Sequence, residues 1–263
     1  MNRVPKVYIY TDFPSAPLNI QNTLDHLERF GVPAFSRGNF FDFLLLSEES
    51  SYRVAELLAA SRIHDISAPQ DEIGRAAREQ ALSEIDKITG KKSNLGEFYD
   101  GLWLQRIFHK ALADKVPDEW GKGFLHVIFT GRLFGTFESR RYHARVLLGG
   151  NPALISTSGV VEAPAKPREY YFIKGALIQS GKDTDELDRM YEGRFVEYGD
   201  PKITPIICSY ALQAVFYEAT GAEFCDNPSC CLYNSHWQEE VLKVQLKGRL
   251  CGKCLNEFQK LTG

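Results

Sequence analysis

Histidine is scarce and scattered in this 263-residue chain: there are six, and no two stand three or four positions apart. That spacing sets two imidazoles on one helical face around a catalytic zinc, so an H-E-x-x-H site is excluded. No apolar run approaches the ~18 residues of a membrane-spanning helix; the densest, FFDFLLL, is far shorter. Charge of one sign is not in excess. A formal net charge of −3 gives no global attraction to nucleic acid or anionic membrane. Internal repeats and low-complexity tracts are absent. The opening MNRVPKVYIYTDF has a basic start but neither the long apolar region nor the small-residue cleavage site of a secretory leader, so a cytoplasmic location is expected.

Cysteine is missing from the first 207 residues, and five of the six lie within the last 39. A disulfide framework spreads through a small secreted chain, whereas clustering at one end of a large chain favours metal. Cys225-x4-Cys230 and Cys251-x2-Cys254, separated by 20 residues, supply two thiolate pairs, each able to span one edge of a zinc tetrahedron. Cys231 could replace Cys230 as ligand. Four sulfur ligands leave no open coordination position, so one structural Zn2+ is expected. Trp237 is expected to cover this knuckle, and His236 to donate to a thiolate.

What precedes the cysteines reads as α/β. KVYIYTD (Lys6 to Asp12) is a buried strand, LNIQNTLDHLERFG a helix, and VPAFSRGNFF a second strand and loop. Residues 51–88 are helical and charged, and FYDGLWLQRIFHKALADK is an amphipathic helix. FLHVIFTGRLFGTF reads as a buried strand and RYHARVLLGGNPALISTSGVV as one or two more. Pro205 opens a helix running to about Thr220.

Gly221-x-x-Phe224-Cys225-x4-Cys230-x-Leu232, followed by Cys251-x-x-Cys254, resembles the C-terminal signature of archaemetzincins, zinc metallopeptidases of archaea. In that family a helix carrying H-E-x-x-H-x-x-G-x-x-H runs into a four-cysteine structural zinc site. The resemblance implies a metzincin-like fold, a mixed twisted sheet with helices, plus a C-terminal zinc-knuckle subdomain. It divides the chain at 1–224 and 225–263, with 51–94 a helical insertion. Registered on Cys225, the ligand positions fall on Ala214, Glu218 and Phe224, and the general base on Val215. Of the catalytic motif only Gly221 survives, with Phe224 as an apolar plug. The implied protein is a pseudo-metallopeptidase that uses the remnant cleft to bind a protein, peptide or RNA partner.

Two other readings stay open. A rebuilt hydrolase could draw on His126, His143 and Glu218, with the two histidines on neighbouring strands. An RNA-associated factor could use segments 138–146 and 162–172, where Arg140, Arg141, His143, Arg145, Glu162, Lys166 and Arg168 lie among Tyr142, Tyr170 and Tyr171. Residues 155–171, rich in small polar residues and proline, are expected to follow an irregular path suited to binding.

Overall fold

The computed structural model describes residues 4–12, 18–121 and 123–262; the first residues of the opening stretch and Phe13 lie outside them. Strand β1 (Lys6–Thr11) pairs in parallel with β2 (Ala34–Asn39) on one side and β4 (Phe124–Thr130) on the other. β4 in turn pairs in parallel with β8 (Ala153–Ser156), and the two-residue β7 (Leu147–Leu148) closes that edge antiparallel. The sheet order is therefore β2-β1-β4-β8-β7. A second sheet, β3-β5-β6, joins β3 (Phe98–Asp100), β5 (Leu133–Glu138) and β6 (Arg141–Arg145). The mixed α/β architecture expected from the sequence is present.

Period-two alternation assigns the two faces of the larger sheet. Val7, Ile9, Leu125, Val127, Phe129, Ala153 and Ile155 point into one core, shared with α1 (Ile20–Glu28) and α9 (Ile203–Thr220). Tyr10, Ile128 and Leu154 point into the other, against α2 (Phe40–Leu44), α3 (Glu48–Ala60) and α5 (Gly101–Lys115). The C-terminal segment does not stand apart from this plan. Cys230, Cys231, Leu232, Val241, Cys254 and Phe258 are buried in the same core as α9.

Several stretches differ from their sequence reading, among them residues 61–77, which fall within the segment read as helical but form no helix. FLHVIFTGRLFGTF is two strands in two sheets, because Asp12 ties the turn between them. Its carboxylate accepts from Thr130 Oγ1 at 2.6 Å, Gly131 N at 3.0 Å and Arg132 Nη1 at 2.5 Å. Residues 155–171 are not irregular: β8 runs into α6 (Thr157–Glu162), and a short link leads to α7 (Arg168–Gln179). Ser156 caps α6, accepting from Gly159 N at 2.7 Å, and Pro167 sits at the N-cap of α7, where its missing N–H costs nothing. Gly135 is required where β5 meets its neighbours, since a Cβ there would lie 2.4 Å from Phe98 and 2.6 Å from the His143 carbonyl oxygen.

The charged segment 51–88 is tied into the interior. Within α4 (Arg78–Ile88), Glu84 and Lys87 are fully buried. Glu84 binds Arg62, accepts from Lys87 at 3.1 Å and Tyr99 Oη at 2.7 Å, and meets Arg132 at 3.1 Å. Lys87 also binds Glu97. Nothing in hydrophobic periodicity signals this network, whose members are brought together from positions 12 to 132. No helix among the described residues is long and apolar enough to cross a membrane.

Candidate metal centre

Helix α9 begins with Pro205 in its first turn and ends where Gly221 takes the left-handed conformation at φ 74°, its N–H donating to Tyr217 O at 2.7 Å. The chain then turns back on itself. Cys225 N donates to Leu232 O at 2.8 Å, and Cys225 forms an isolated bridge with Tyr233. This fold-back sets Cys225 and Cys230 opposite Cys251 and Cys254, which open α11 (Gly252–Thr262).

The four sulfurs lie within 4.8 Å of one another. Backbone amides point at two of them: Asn227 N at Cys225 Sγ and Cys251 N at Cys230 Sγ, both at 3.4 Å. Such donors favour thiolate. Cys225 Sγ and Cys251 Sγ stand 3.7 Å apart, and all the cysteines are free. The thiol environments diverge strongly. A hydrogen bond from Cys231 lowers Cys230 to about 4, whereas burial pushes Cys225 and Cys254 up. Crowded sulfurs of this kind are held as thiolates together only by a cation among them, so the donor set fits zinc. Cys231 is outside the group of four, buried in the core with its N–H donating to Arg249 O at 2.7 Å.

Two expected companions are placed elsewhere. Trp237 bridges to Ala165 and lies under the Arg168 guanidinium at 5.6 Å. His236 is exposed, and its backbone N–H donates to Glu240 at 2.8 Å.

The positions matched to a catalytic motif do not converge on a site. Ala214 and Val215 are buried in the core of the sheet's α9 face. Glu218, four residues on, is exposed, and its carboxyl is raised by partial burial. Phe224 is 45% exposed; it lies on the surface and plugs nothing. Tyr217 packs against Gly149, where a Cβ would meet its ring at 3.1 Å.

The three residues of the rebuilt-site reading are kept apart. His126 alternates to the sheet face opposite α9. There its Nδ1 meets Tyr10 Oη at 3.0 Å, its Nε2 meets Glu119 O at 3.2 Å, and Tyr8, Tyr10 and Trp120 enclose the ring. His143 is on β6, in the other sheet, with Nε2 3.1 Å from Glu138 O. His126 and His143 are thus on strands of different sheets, not on neighbours. Among the described residues, the four cysteines form the one group of three or more His, Cys, Asp or Glu able to hold a metal. We expect His126→Gln to leave the zinc content of the protein unchanged, measured by plasma emission spectrometry on the dialysed chain.

The basic and aromatic segments are largely committed to internal contacts. Arg145 pairs with Glu138 at 2.5 Å, Glu162 accepts from Tyr198 at 2.9 Å, and Lys166 lies 3.8 Å over Phe195. Tyr142 and Tyr170 are buried, Tyr142 donating to Asp100 at 2.6 Å, so neither ring is open for base stacking. Arg140 and Arg141 sit exposed at and beside the β5–β6 turn.

A family model described as a probable metallopeptidase family (DUF6775) matches residues 3–261. Among solved structures, an archaemetzincin from Methanopyrus kandleri aligns at a TM-score of 0.46 and 10% identity, covering 98% of this chain and 94% of that one. A zinc-dependent peptidase from Methanocorpusculum labreanum (strain Z) aligns at 0.42 and 11% identity, covering 96% and 99%. No curated protein matches.

Proposed function

The chain belongs to the probable metallopeptidase family (DUF6775), and we propose that it is a zinc-stapled member that binds a peptide or protein without cleaving it. Cys225, Cys230, Cys251 and Cys254 would hold a single Zn2+. That ion supplies a crosslink between the loop after α9 and the start of α11, and with four sulfur ligands it has no position left for water. The observation that carries the reading is the state of α9. Where the resemblance puts a ligand and a general base, Ala214 and Val215 are buried apolar side chains that neither ligate nor accept a proton.

The surface left for recognition lies at the C-terminal turn of α9. Glu218 is exposed there, Tyr217 rests on Gly149, and β7 forms an edge of the larger sheet. An edge strand can take an extended peptide through its backbone, with neighbouring side chains giving selectivity.

Two measurements on the full chain test this. Metal analysis should return about one zinc per chain, and a panel of fluorogenic peptides should show no turnover above the buffer blank. A second zinc, or turnover abolished by a chelator and restored by zinc, would overturn the proposal. Selective RNA binding that weakens steeply with salt would move the partner to nucleic acid.

A further inference from the structure

A cleft of about 330 Å3 opens between α5 and the loop that follows β7, lined by Gln105, Arg106, His109 and Asn151. The first three share one face of α5, since residues three and four apart are neighbours on a helix. The loop is held in place from both sides. Asn151 Oδ1 accepts from His126 N at 2.9 Å and its Nδ2 donates to Phe124 O at 3.1 Å, which ties the loop to β4. Gln105 Nε2 donates to Gly149 O at 2.9 Å and to Pro152 O at 2.7 Å. Both carbonyls can only accept, so the Gln105 amide is set with Oε1 turned away from them. The same reasoning fixes His109. Its Nδ1, 2.9 Å from Asn151 O, donates, and in the neutral ring Nε2 is left as an acceptor. Arg106 is exposed, its guanidinium 4.6 Å from the Trp103 ring centre, and it pairs with no carboxylate among the described residues. No acidic side chain lines the cleft.

The cleft therefore offers one planar cation beside two acceptors, Gln105 Oε1 and His109 Nε2. A phosphate group, an acceptor on every side, matches only the cation. A carboxylate with an N–H close to it matches the whole set: the guanidinium fork takes the two oxygens and an acceptor takes the N–H. We propose that this cleft binds the C-terminal carboxylate of a peptide, an inference that rests on the peptide-binding reading above. Its place in the fold agrees. β7 ends at Leu148 and runs directly into the loop, so a peptide laid parallel on that edge brings its C-terminus to Gly149 and the cleft beside it. Gly149 also packs against Tyr217 of α9. Edge strand, cleft and the last turn of α9 thus meet at one loop.

Proton NMR of the zinc-loaded full chain tests the proposal, following the His109 imidazole C2 proton, which is identified by its loss in His109→Gln. The probes are three equimolar mixtures: N-acetyl tripeptides with free C-termini, the same tripeptides as C-terminal amides, and free amino acids. The free-acid peptides should move the resonance saturably, and the amides should bind at least ~10-fold more weakly. Arg106→Gln should weaken the acids by a similar factor and leave the amides unchanged. Arg106→Lys, which keeps the charge without the planar fork, should fall between. Both variants alter an exposed side chain and should keep the parent's thermal unfolding profile. Acids and amides that bind alike, or acid binding unmoved by Arg106→Gln, overturn the carboxylate site and leave peptide binding standing. No saturable shift with either peptide mixture overturns it too. Free amino acids that bind more tightly than the acetylated peptides overturn it in favour of a site for small zwitterions. Peptide turnover or a second zinc would sink the non-cleaving reading without touching the Arg106 response.

Discussion

Replacing Cys254 by alanine is expected to remove the metal and the local fold together. Cys254 is buried in the first turn of α11, its sulfur within 4.8 Å of the other three. The residues it anchors are part of the main core: Phe258, one turn further on, packs against Phe30 of the α1 end and Phe216 of α9. Structural zinc held by four thiolates contributes roughly 10–16 kcal/mol of binding free energy near neutral pH, and that energy is folding energy, because the unfolded chain has no preformed site. Losing one ligand should therefore lower stability by more than ~5 kcal/mol, enough to unfold the C-terminal segment at ordinary temperature. Zinc content per chain and the urea midpoint report it. Cys231→Ala, outside the four-sulfur group, is the control and should keep its zinc. A Cys254→Ala protein that retained stoichiometric zinc and the parent midpoint would remove the four-cysteine site from consideration.

Glu84→Gln should produce the other large effect, of ~3 kcal/mol, because it withdraws the carboxylate shared by the buried Arg132 and Lys87 and leaves them only Asp12 and Glu97 respectively. Burial alone would raise the Glu84 carboxyl, but Arg132 and then Lys87 outweigh it and hold the group at about 2, against 4.5 for an ordinary glutamate. The sign follows from the depression. Stability from the ionised carboxylate is fully present above pH ~4.5 and is lost as pH falls from there towards ~2. The parent protein should therefore lose ~3 kcal/mol more than Glu84→Gln across that window. Denaturant midpoints at a series of pH values measure it. Parallel curves for parent and variant would show that Glu84 is not the group responsible.

The most legible parts of the site were those built from local chemistry. Two short cysteine pairs predict a four-sulfur cluster because a loop of two or four residues can span one edge of a tetrahedron wherever the rest of the chain goes. The bounds of α9 follow from Pro205 and Gly221, whose backbone preferences act within one turn. The likeness read from Gly221 to Cys254 agrees with the metallopeptidase family that spans the chain.

What pairing and packing decide was not legible in this way. Whether His126 meets Glu218 depends on which face of β4 it takes, and parallel pairing with β1 sends it to Tyr10, away from α9. Phe224 reads as a plug by position, yet the fold-back of Cys225 onto Leu232 leaves it in solvent. The buried network joins Asp12, Glu84 and Arg132, which no local pattern connects. The sequence by itself determined the four-cysteine cluster, the α/β class and the absence of any H-E-x-x-H motif, since each depends on residue identity and pattern along the chain. Only the tertiary structure decided which charged side chains are interior and which apolar ones are exposed, because those depend on neighbours brought together from distant parts of the chain.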